Sequence, residues 1–345
     1  MKKRYKQLGD VGSLAQEVVA NWPGGSNSEL AVTEVFESLR QLAQTSGEGS
    51  QEEKVHQVAQ LLKQLDPLSA RFVARMILSN LRLGFSDKTV LDALSWFLTG
   101  DKSQRPQLEE VYQRHPDIGT IASQVLVGGV EQAQQLDVQL GVPVIPALAD
   151  RLKSSQEMID KMGEVYVEPK YDGTRVQIHW DAQKQELHTF TRNLEENTAM
   201  FPELKRLLQD IEADSVIFDS EAVGYDPQTN KLVVFQQTIK RKRKHDIAAT
   251  MAEIPLRFFV FDVLYLNGES RLRQPLAERK QLLQTVLAPV SNGDLVPSPY
   301  IQTQDPDELR EYHVEQLAQG YEGVVVKKAQ GVYEAGRKAF NWVKF

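Results

Sequence analysis

The chain has no cysteine among its 345 residues. This absence excludes disulfide bonds, thiolate zinc sites and thiol catalysis. No apolar run is long enough to span a bilayer, and the N-terminal segment leads into no apolar signal region. A cytoplasmic protein that makes no membrane contact is therefore expected. The sequence also has no Gly-rich phosphate-binding loop and no regular strand–helix–strand series.

Positive charge is not in excess either. Lysine and arginine number 40 against 47 acidic residues, so the net charge is −7. The overall charge gives no argument for nucleic-acid binding, and any such role must depend on local basic clusters. The charged fraction of 25% and the hydrophobic fraction of 41% are typical of a globular protein. At this length, two domains are expected.

Residues 1–136 show helical periodicity throughout, for example in residues 32–42, 55–65, 69–83 and 89–98. Two prolines in the extended stretch 138–146 then indicate a linker, and the signals change to strands. Strands are predicted at 166–168, 176–180, 187–191, 216–222, 232–235, 256–266 and 323–327, with helices at 202–211, 276–287 and 305–319. The prediction is an all-α domain at 1–136 followed by an α+β domain at 137–345 with mainly antiparallel sheets.

One lysine stands out within the second domain. Lys170 lies between two β-prone runs and is followed by Asp172-Gly173 and Arg175. This order predicts strand, tight turn and strand, with the lysine near the turn. An amine flanked by carboxylates and followed by an arginine suits a covalent nucleophile, whereas the alternative is an Asp-Gly hairpin with ordinary surface charges.

The segment Lys170 to Arg175 has the form Lys-x-Asp-Gly-x-Arg and resembles motif I of the covalent nucleotidyltransferases, which include ATP-dependent DNA ligases, RNA ligases and capping enzymes. Further segments resemble later motifs of that superfamily in the same order. They are residues 190–197, 218–223, 258–265, 322–327 and 341–345. Residues 80–94, with the run Leu-Arg-Leu-Gly, are similar to the helical DNA-binding domain of replicative-type ligases of archaea and eukaryotes. That domain favours a DNA ligase over an RNA ligase or a capping-type enzyme.

The resemblance implies that Lys170 forms a lysyl-AMP from ATP. In the complete enzyme, AMP would then pass to the 5′-phosphate of a DNA nick, which the 3′-hydroxyl seals. It further implies that Glu168 contacts adenine and that Phe261 stacks on the base. Two glutamates, Glu221 and Glu322, would hold Mg²⁺. The expected phosphate-binding residues are Arg175, Arg192, Lys327 and Lys344, with Arg337 and Lys338 as further candidates. We expect Arg175, Lys327, Lys344 and Mg²⁺ together to depress the pKa of Lys170.

Contacts with DNA are expected at two places. Arg82, predicted at a helix end, and the basic run of Lys240, Arg241, Lys242 and Arg243 would meet phosphates of nicked double-stranded DNA without reading the sequence. Such a run is otherwise a solvated loop. A monomer is expected, with a sliding clamp as a possible partner of the full-length enzyme and an association with the nucleoid in a prokaryote.

The sequence resembles only part of a ligase. Residues 9–19 echo residues 116–126, as if an N-terminal repeat were incomplete, and motif V is not followed by an OB domain. We therefore expect a truncated enzyme that binds ATP and retains weak adenylation at most. The alternative from another class is a noncatalytic nick-binding module.

Overall fold

The computed structural model describes residues 2–23, 30–47, 49–233, 255–291, 293–336 and 340–345. The chain divides into two compact units, a first unit at Met1–Ser86 and a second unit at Asp87–Phe345. The predicted DNA-contact run 240–243 and the phosphate candidates Arg337 and Lys338 lie outside the described residues. No helix of the described part is long and apolar enough to cross a membrane.

The first unit is helical. Its helices are α1 (Lys2–Leu8), α2 (Val11–Ala20), α3 (Val32–Gln44), α4 (Ser50–Lys63) and α5 (Pro67–Ile77). Helix α2 begins after Asp10, whose side chain accepts hydrogen bonds from the Gly12 and Ser13 amides. The same carboxylate pairs with the buried guanidinium of Arg75 at 2.7 Å, and these contacts hold the pKa of Asp10 well below its usual range. The Asp10 carboxylate thus caps α2 and, through its ion pair with Arg75, also joins α2 to α5.

Helix α5 ends earlier than predicted. The helical periodicity extends to residue 83, but the helix stops at Ile77, and Ser79 and Arg82 both have φ near +51°. Positive φ is incompatible with a continuing right-handed helix. Arg82 therefore lies in an exposed loop and not at a helix end, so this prediction was wrong. Its guanidinium is 3.7 Å from Asp10.

The second unit begins with three helices, α6 (Asp87–Thr99), α7 (Arg105–Arg114) and α8 (Ile118–Gln134). Helix α8 begins after Asp117, which accepts a hydrogen bond from the Thr120 amide, and it is kinked at Gly128 and Gly129. A small core of buried aliphatic residues, among them Leu91, Leu108 and Val125, packs these helices together.

Beyond α8 the chain forms two sheets, and the predicted combination of a helical region with an α+β domain of mainly antiparallel sheets is confirmed. The domain boundary at residue 136 stays a prediction. The strands are β1 (Asp150–Arg151), β2 (Val165–Pro169), β3 (Thr174–Asp181), β4 (Glu186–Thr191), β5 (Ser215–Gly224), β6 (Leu256–Leu266), β7 (Glu269–Ser270), β8 (Leu295–Pro297), β9 (Ile301–Thr303), β10 (Val324–Lys328) and β11 (Trp342–Lys344). The helices among them are α9 (Ser155–Met162), α10 (Leu204–Leu207), α11 (Leu276–Leu287) and α12 (Pro306–Ala318).

Each sheet has its own strand order. The first runs β1-β11-β10-β2-β9, and the second runs β4-β3-β5-β6-β7 with β8 beside β6. Strand pairs are antiparallel except β1 with β11 and β6 with β8. The predicted strands at 166–168 and 176–180 are present as β2 and β3, but they lie in different sheets. The Asp-Gly hairpin alternative is therefore wrong, because residues 170–173 connect one sheet to the other.

Successive side chains of each strand point to opposite faces of its sheet, so one face packs in a core and the other faces the candidate site. In β3 and β5, Val176, Ile178 and Phe218 point into an apolar core, and the residues between them face the other way. In β2 and β10, Val167 and Val326 enter a second core. The opposite faces of both sheets carry the polar side chains described next.

Candidate active site

A cavity of about 570 Å³ lies in the second unit at the crossing between the two sheets. Its walls come from β2, β3, β5, β6, β10 and β11 and from the crossing segment 170–173. Residues that are scattered over more than 170 positions of the sequence meet here. The predicted site residues that line it are Glu168, Lys170, Arg175, Arg192, Glu221, Phe261, Glu322, Lys327 and Lys344.

Lys170 is held by its backbone. Its amide donates to the Gly323 carbonyl at 2.9 Å, and its carbonyl accepts from the Glu322 amide at 3.1 Å. These bonds continue the β2–β10 ladder by one residue, so the lysine sits on a rigid strand end. Its side chain, about a third exposed, contacts the Glu322 carboxylate.

The pKa of Lys170 is lowered, as expected, although Arg175 and Lys327 are not among the main causes. Burial disfavours the charged amine most, Lys344 lowers the pKa further, and Glu221 and Asp172 act in the opposite direction. Lys344 is the only one of the expected cations among these causes. Arg175 faces its own carboxylate partner, Asp219, so its positive charge is already compensated.

Arg175 is the centre of a buried cluster. Its guanidinium pairs with Asp219, whose carboxylate also accepts a hydrogen bond of 2.9 Å from the Tyr333 hydroxyl. Burial opposes the charge of Arg175, but Asp219, Tyr333 and Glu221 together outweigh burial and raise the pKa of the guanidinium. The planar group also lies 5.5 Å from the Phe261 ring and 5.6 Å from the Trp342 ring. Arg175 therefore forms part of the cavity wall, where Asp219 and the two aromatic rings hold its side chain.

Lys327 is likewise engaged. Its ammonium donates to Glu168 at 3.0 Å and lies 4.4 Å and 4.2 Å from the rings of Phe261 and Trp342. Burial lowers its pKa to about 8, while Glu168 opposes that shift. The two cations that line the cavity without a described ion pair are the exposed Arg192 and Lys344, among the residues that the structure describes.

Two carboxylates could hold a metal ion. Glu221 lies opposite Arg175 in the β3–β5 register, and burial raises its pKa to about 8. Glu322 is on the other side of the crossing segment and contacts Lys170. In the part of the chain with described structure, no cluster of three or more His, Cys, Asp or Glu side chains could hold a metal. Two glutamates fit Mg²⁺ only when phosphate oxygens complete the ligand set, which agrees with the chemistry that this ion prefers.

The base-binding candidates share one wall. Phe261 is 8% exposed and meets Trp342 edge to face at 5.8 Å. Glu168 is nearly buried in β2 beside them. A flat aromatic side chain next to a carboxylate acceptor can receive a purine that carries an amino group.

Sequence reasoning gave no role to Trp342, which lines the cavity. It also missed five buried residues that make contacts behind the lining, namely Asp219, Asp262, Arg279, Lys280 and Tyr333. Arg279 and Lys280 had a detectable signal. They occupy the same stripe of α11 as the buried residues Leu276 and Leu283, where a charged residue needs a buried partner.

Comparison with known proteins gives a consistent result. Residues 146–345 match the family model described as "ATP dependent DNA ligase domain", and residues 1–95 match "DNA ligase N terminus". The chain is 37% identical over 345 residues to a "Probable DNA ligase" of Dictyoglomus thermophilum, covering 100% of this chain and 58% of that protein. It is 35% identical over 354 residues to "DNA ligase 2" of Thermofilum pendens, covering 99% and 58% respectively.

The chain thus spans about 58% of the length of these relatives. A solved structure titled "Pmar-Lig_Pre." is 17% identical, with a TM-score of 0.56, and the match covers 93% of this chain and 64% of that one. At that identity the likeness concerns the fold alone.

Proposed function

The chain belongs to the ATP-dependent DNA ligase family, and on that premise we propose that Lys170 is the nucleophile that ATP adenylates. The neutral Nζ attacks the α-phosphorus and forms a P–N bond. The bond from that phosphorus to the oxygen that bridges it to the β-phosphorus breaks, and pyrophosphate leaves with that oxygen. The nitrogen, which is cationic after the attack, releases one proton to solvent. The product is a lysyl-AMP on the protein.

The observation that carries this proposal is the setting of Lys170. The amine has a lowered pKa and faces a cavity large enough for a nucleotide, and two hydrogen bonds fix the backbone that carries it. A lysine with a lowered pKa is more often neutral and therefore more often nucleophilic. A solvated surface lysine has neither the lowered pKa nor a cavity before its amine.

The remaining roles depend on which side chains have no ion-pair partner among the described residues. Arg192 and Lys344 are proposed to contact the phosphates, because they line the cavity and are exposed. Glu168 and Phe261 receive the adenine. Arg175 and Lys327 also line the cavity, but Asp219 and Glu168 compensate their charges, so they are proposed to shape the wall beside the phosphates.

Mg²⁺ is proposed to lie between Glu221, Glu322 and the phosphates, where it would neutralise the charge of the leaving pyrophosphate. Glu221 must release its proton to serve as a ligand. The ion would also compete with Lys170 for the Glu322 carboxylate.

The substrate of the complete reaction is proposed to be nicked double-stranded DNA. AMP would pass from Lys170 to the 5′-phosphate of the nick, and the 3′-hydroxyl would then displace AMP. The helical first unit, with Arg82 in its exposed loop, and the basic run at 240–243 are the proposed phosphate contacts. A monomer, a sliding-clamp partner and a place at the nucleoid belong to the same proposal.

The test is the intact mass of the protein after incubation with ATP and Mg²⁺. We expect one AMP adduct on the unaltered chain and on Lys205→Ala, a control at an exposed lysine of the same unit. Lys170→Ala should carry none. An adduct that survives Lys170→Ala, or no adduct on any form, would contradict the proposal.

A further inference from the structure

Glu168 is shared by two buried lysines. Its Oε2 accepts a hydrogen bond of 3.0 Å from Lys327 on β10, and its Oε1 lies 2.5 Å from the Nζ of Lys280 on α11. The side chains of Glu168 and Lys280 are 3% and 2% exposed. A carboxylate and two ammonium groups are costly to bury, so such an arrangement needs a reason beyond stability.

The two lysines differ in their position relative to the cavity. Lys327 and Glu168 line the cavity, whereas Lys280 does not. Lys280 approaches the carboxylate from behind, with its Nζ 5.1 Å from the ring of Tyr300. Lys280 cannot touch a nucleotide in this arrangement, and any effect that it has on one must pass through Glu168.

Helix α11 is well suited to fix a neighbouring group. The residue before Lys280, Arg279, makes two hydrogen bonds of 2.7 Å and 3.0 Å with Asp262 on β6. Two consecutive residues of one helix therefore bind the two sheets, Arg279 on the six-stranded sheet and Lys280 on the five-stranded sheet. Lys280 consequently sets the position of Glu168 relative to the Phe261 ring, which lies on the other sheet.

We propose that Lys280 is a positioning residue for base selection, which holds Glu168 as an ionised acceptor aimed at the nucleotide cavity. This inference rests on the proposed adenine role of Glu168. An ionised carboxylate only accepts hydrogen bonds, and its two oxygens offer about four lone-pair sites. Oε1 is buried and faces Lys280, whereas Oε2 accepts one hydrogen bond from Lys327 and keeps a lone pair for the amino group of adenine. Guanine presents a carbonyl oxygen at that place, and a fixed anion repels it.

The experiment is calorimetric titration of the protein with AMP and with GMP. These ligands share ribose and phosphate, and neither can transfer a nucleotide to Lys170. The ratio of the two Kd values therefore reports recognition of the base. We expect the unaltered protein to prefer AMP and Lys280→Met to lose about tenfold of that preference, since a hydrogen bond to a charged group contributes at least that factor. Lys205→Met, the same change at an exposed site, should leave the ratio unaltered.

In Lys280→Met the Glu168 carboxylate keeps Lys327 as its partner. A double-mutant cycle compares Glu168→Gln with the double variant Glu168→Gln/Lys280→Met, both of which lack the carboxylate that Lys280 contacts. If Lys280 acts only through Glu168, these two variants have the same AMP/GMP ratio. Circular dichroism of each variant verifies the fold.

Two results would overturn the inference. One is an unaltered AMP/GMP ratio in Lys280→Met, including the case of an equal loss of both affinities, which marks a purely structural role. The other is a difference in ratio between the two variants that carry Glu168→Gln. Each leaves the proposed function intact as long as the unaltered protein binds AMP. Failure of the unaltered protein to bind AMP would refute the proposed nucleotide site and, with it, this role of Lys280.

Discussion

Replacement of Arg279 by methionine is expected to destabilise the second unit strongly. Both side chains of the Arg279–Asp262 pair are fully buried, and the guanidinium also donates to the carbonyls of Gln274 and Gly331. Arg279→Met leaves the Asp262 carboxylate with the Val263 amide as its remaining described donor. Breaking a buried pair from one side typically costs about 3–5 kcal/mol, because the remaining charge stays buried.

The chain offers a matched control six residues away. Arg273 also forms an ion pair, with Glu110 at 3.0 Å, but these side chains are 86% and 51% exposed. Solvent screens such a pair, so Arg273→Met should lower the free energy of unfolding by about 0–1 kcal/mol. Charge, volume change and ion-pair loss are alike in the two variants, and burial is the difference.

Hydrogen exchange measured by mass spectrometry suits a chain of two units, since global unfolding curves would mix them. Peptides from β5 report the opening of the second unit, because Val216 and Phe218 are fully buried there. A loss in Arg279→Met no larger than that in Arg273→Met would refute the assignment of stability to the buried pair. The double variant Asp262→Asn/Arg279→Met should recover part of the loss, as it removes the orphaned charge.

Three further predictions concern the site. Lys344→Met should lower the yield of the AMP adduct about a hundredfold. Because Lys344 is exposed, the same change should alter the free energy of unfolding by less than about 0.5 kcal/mol. An unchanged adduct yield in a timed mass assay would contradict the phosphate role of Lys344. The lowered pKa of Lys170 increases the fraction of neutral amine at a given pH. At saturating Mg²⁺, the rate of adduct formation should therefore rise with pH and reach its plateau below pH ~10.4. A plateau that begins only at that pH would argue against activation of Lys170 by burial. Gly173→Ala should destabilise the second unit by about 1–3 kcal/mol, because the new Cβ would lie 2.6 Å from the Ala222 carbonyl and 2.9 Å from the Glu221 side chain. Hydrogen exchange of peptides from β5 measures this destabilisation. Protection equal to that of the unaltered protein would contradict the prediction.

Local patterns were sufficient for the type of most elements. The predicted strand at 256–266 and helix at 276–287 have the observed limits of β6 and α11. Period-two and period-3.6 patterns arise from neighbours in the sequence, so a short window contains them. Helix α5 shows the limit of this reasoning, since the apolar pattern continues beyond Ile77 while the backbone turns at Ser79.

The order of short motifs after Lys170 also indicated one common site, and the residues that the structure describes do line one cavity. Spacing could not show which sheet each strand joins. Strands β2 and β3 are separated by four residues and pair with partners far away in the chain. Strand pairing is a long-range choice that depends on cores packed from the whole domain.

The sequence by itself predicted the helical and mixed regions, which the structure confirms. It also indicated a candidate nucleophile and the carboxylates, cations and aromatic residue that line one cavity in the described part of the chain. Only the tertiary structure decided which charges are free and which are neutralised. Arg175 meets Asp219, 44 residues away, and Glu168 meets Lys327, 159 residues away. Ion-pair partners follow from distance and burial in the folded chain, because a buried charge must find the nearest opposite charge. This is why Lys280, to which the sequence patterns assigned no partner, is found in contact with the predicted adenine contact Glu168.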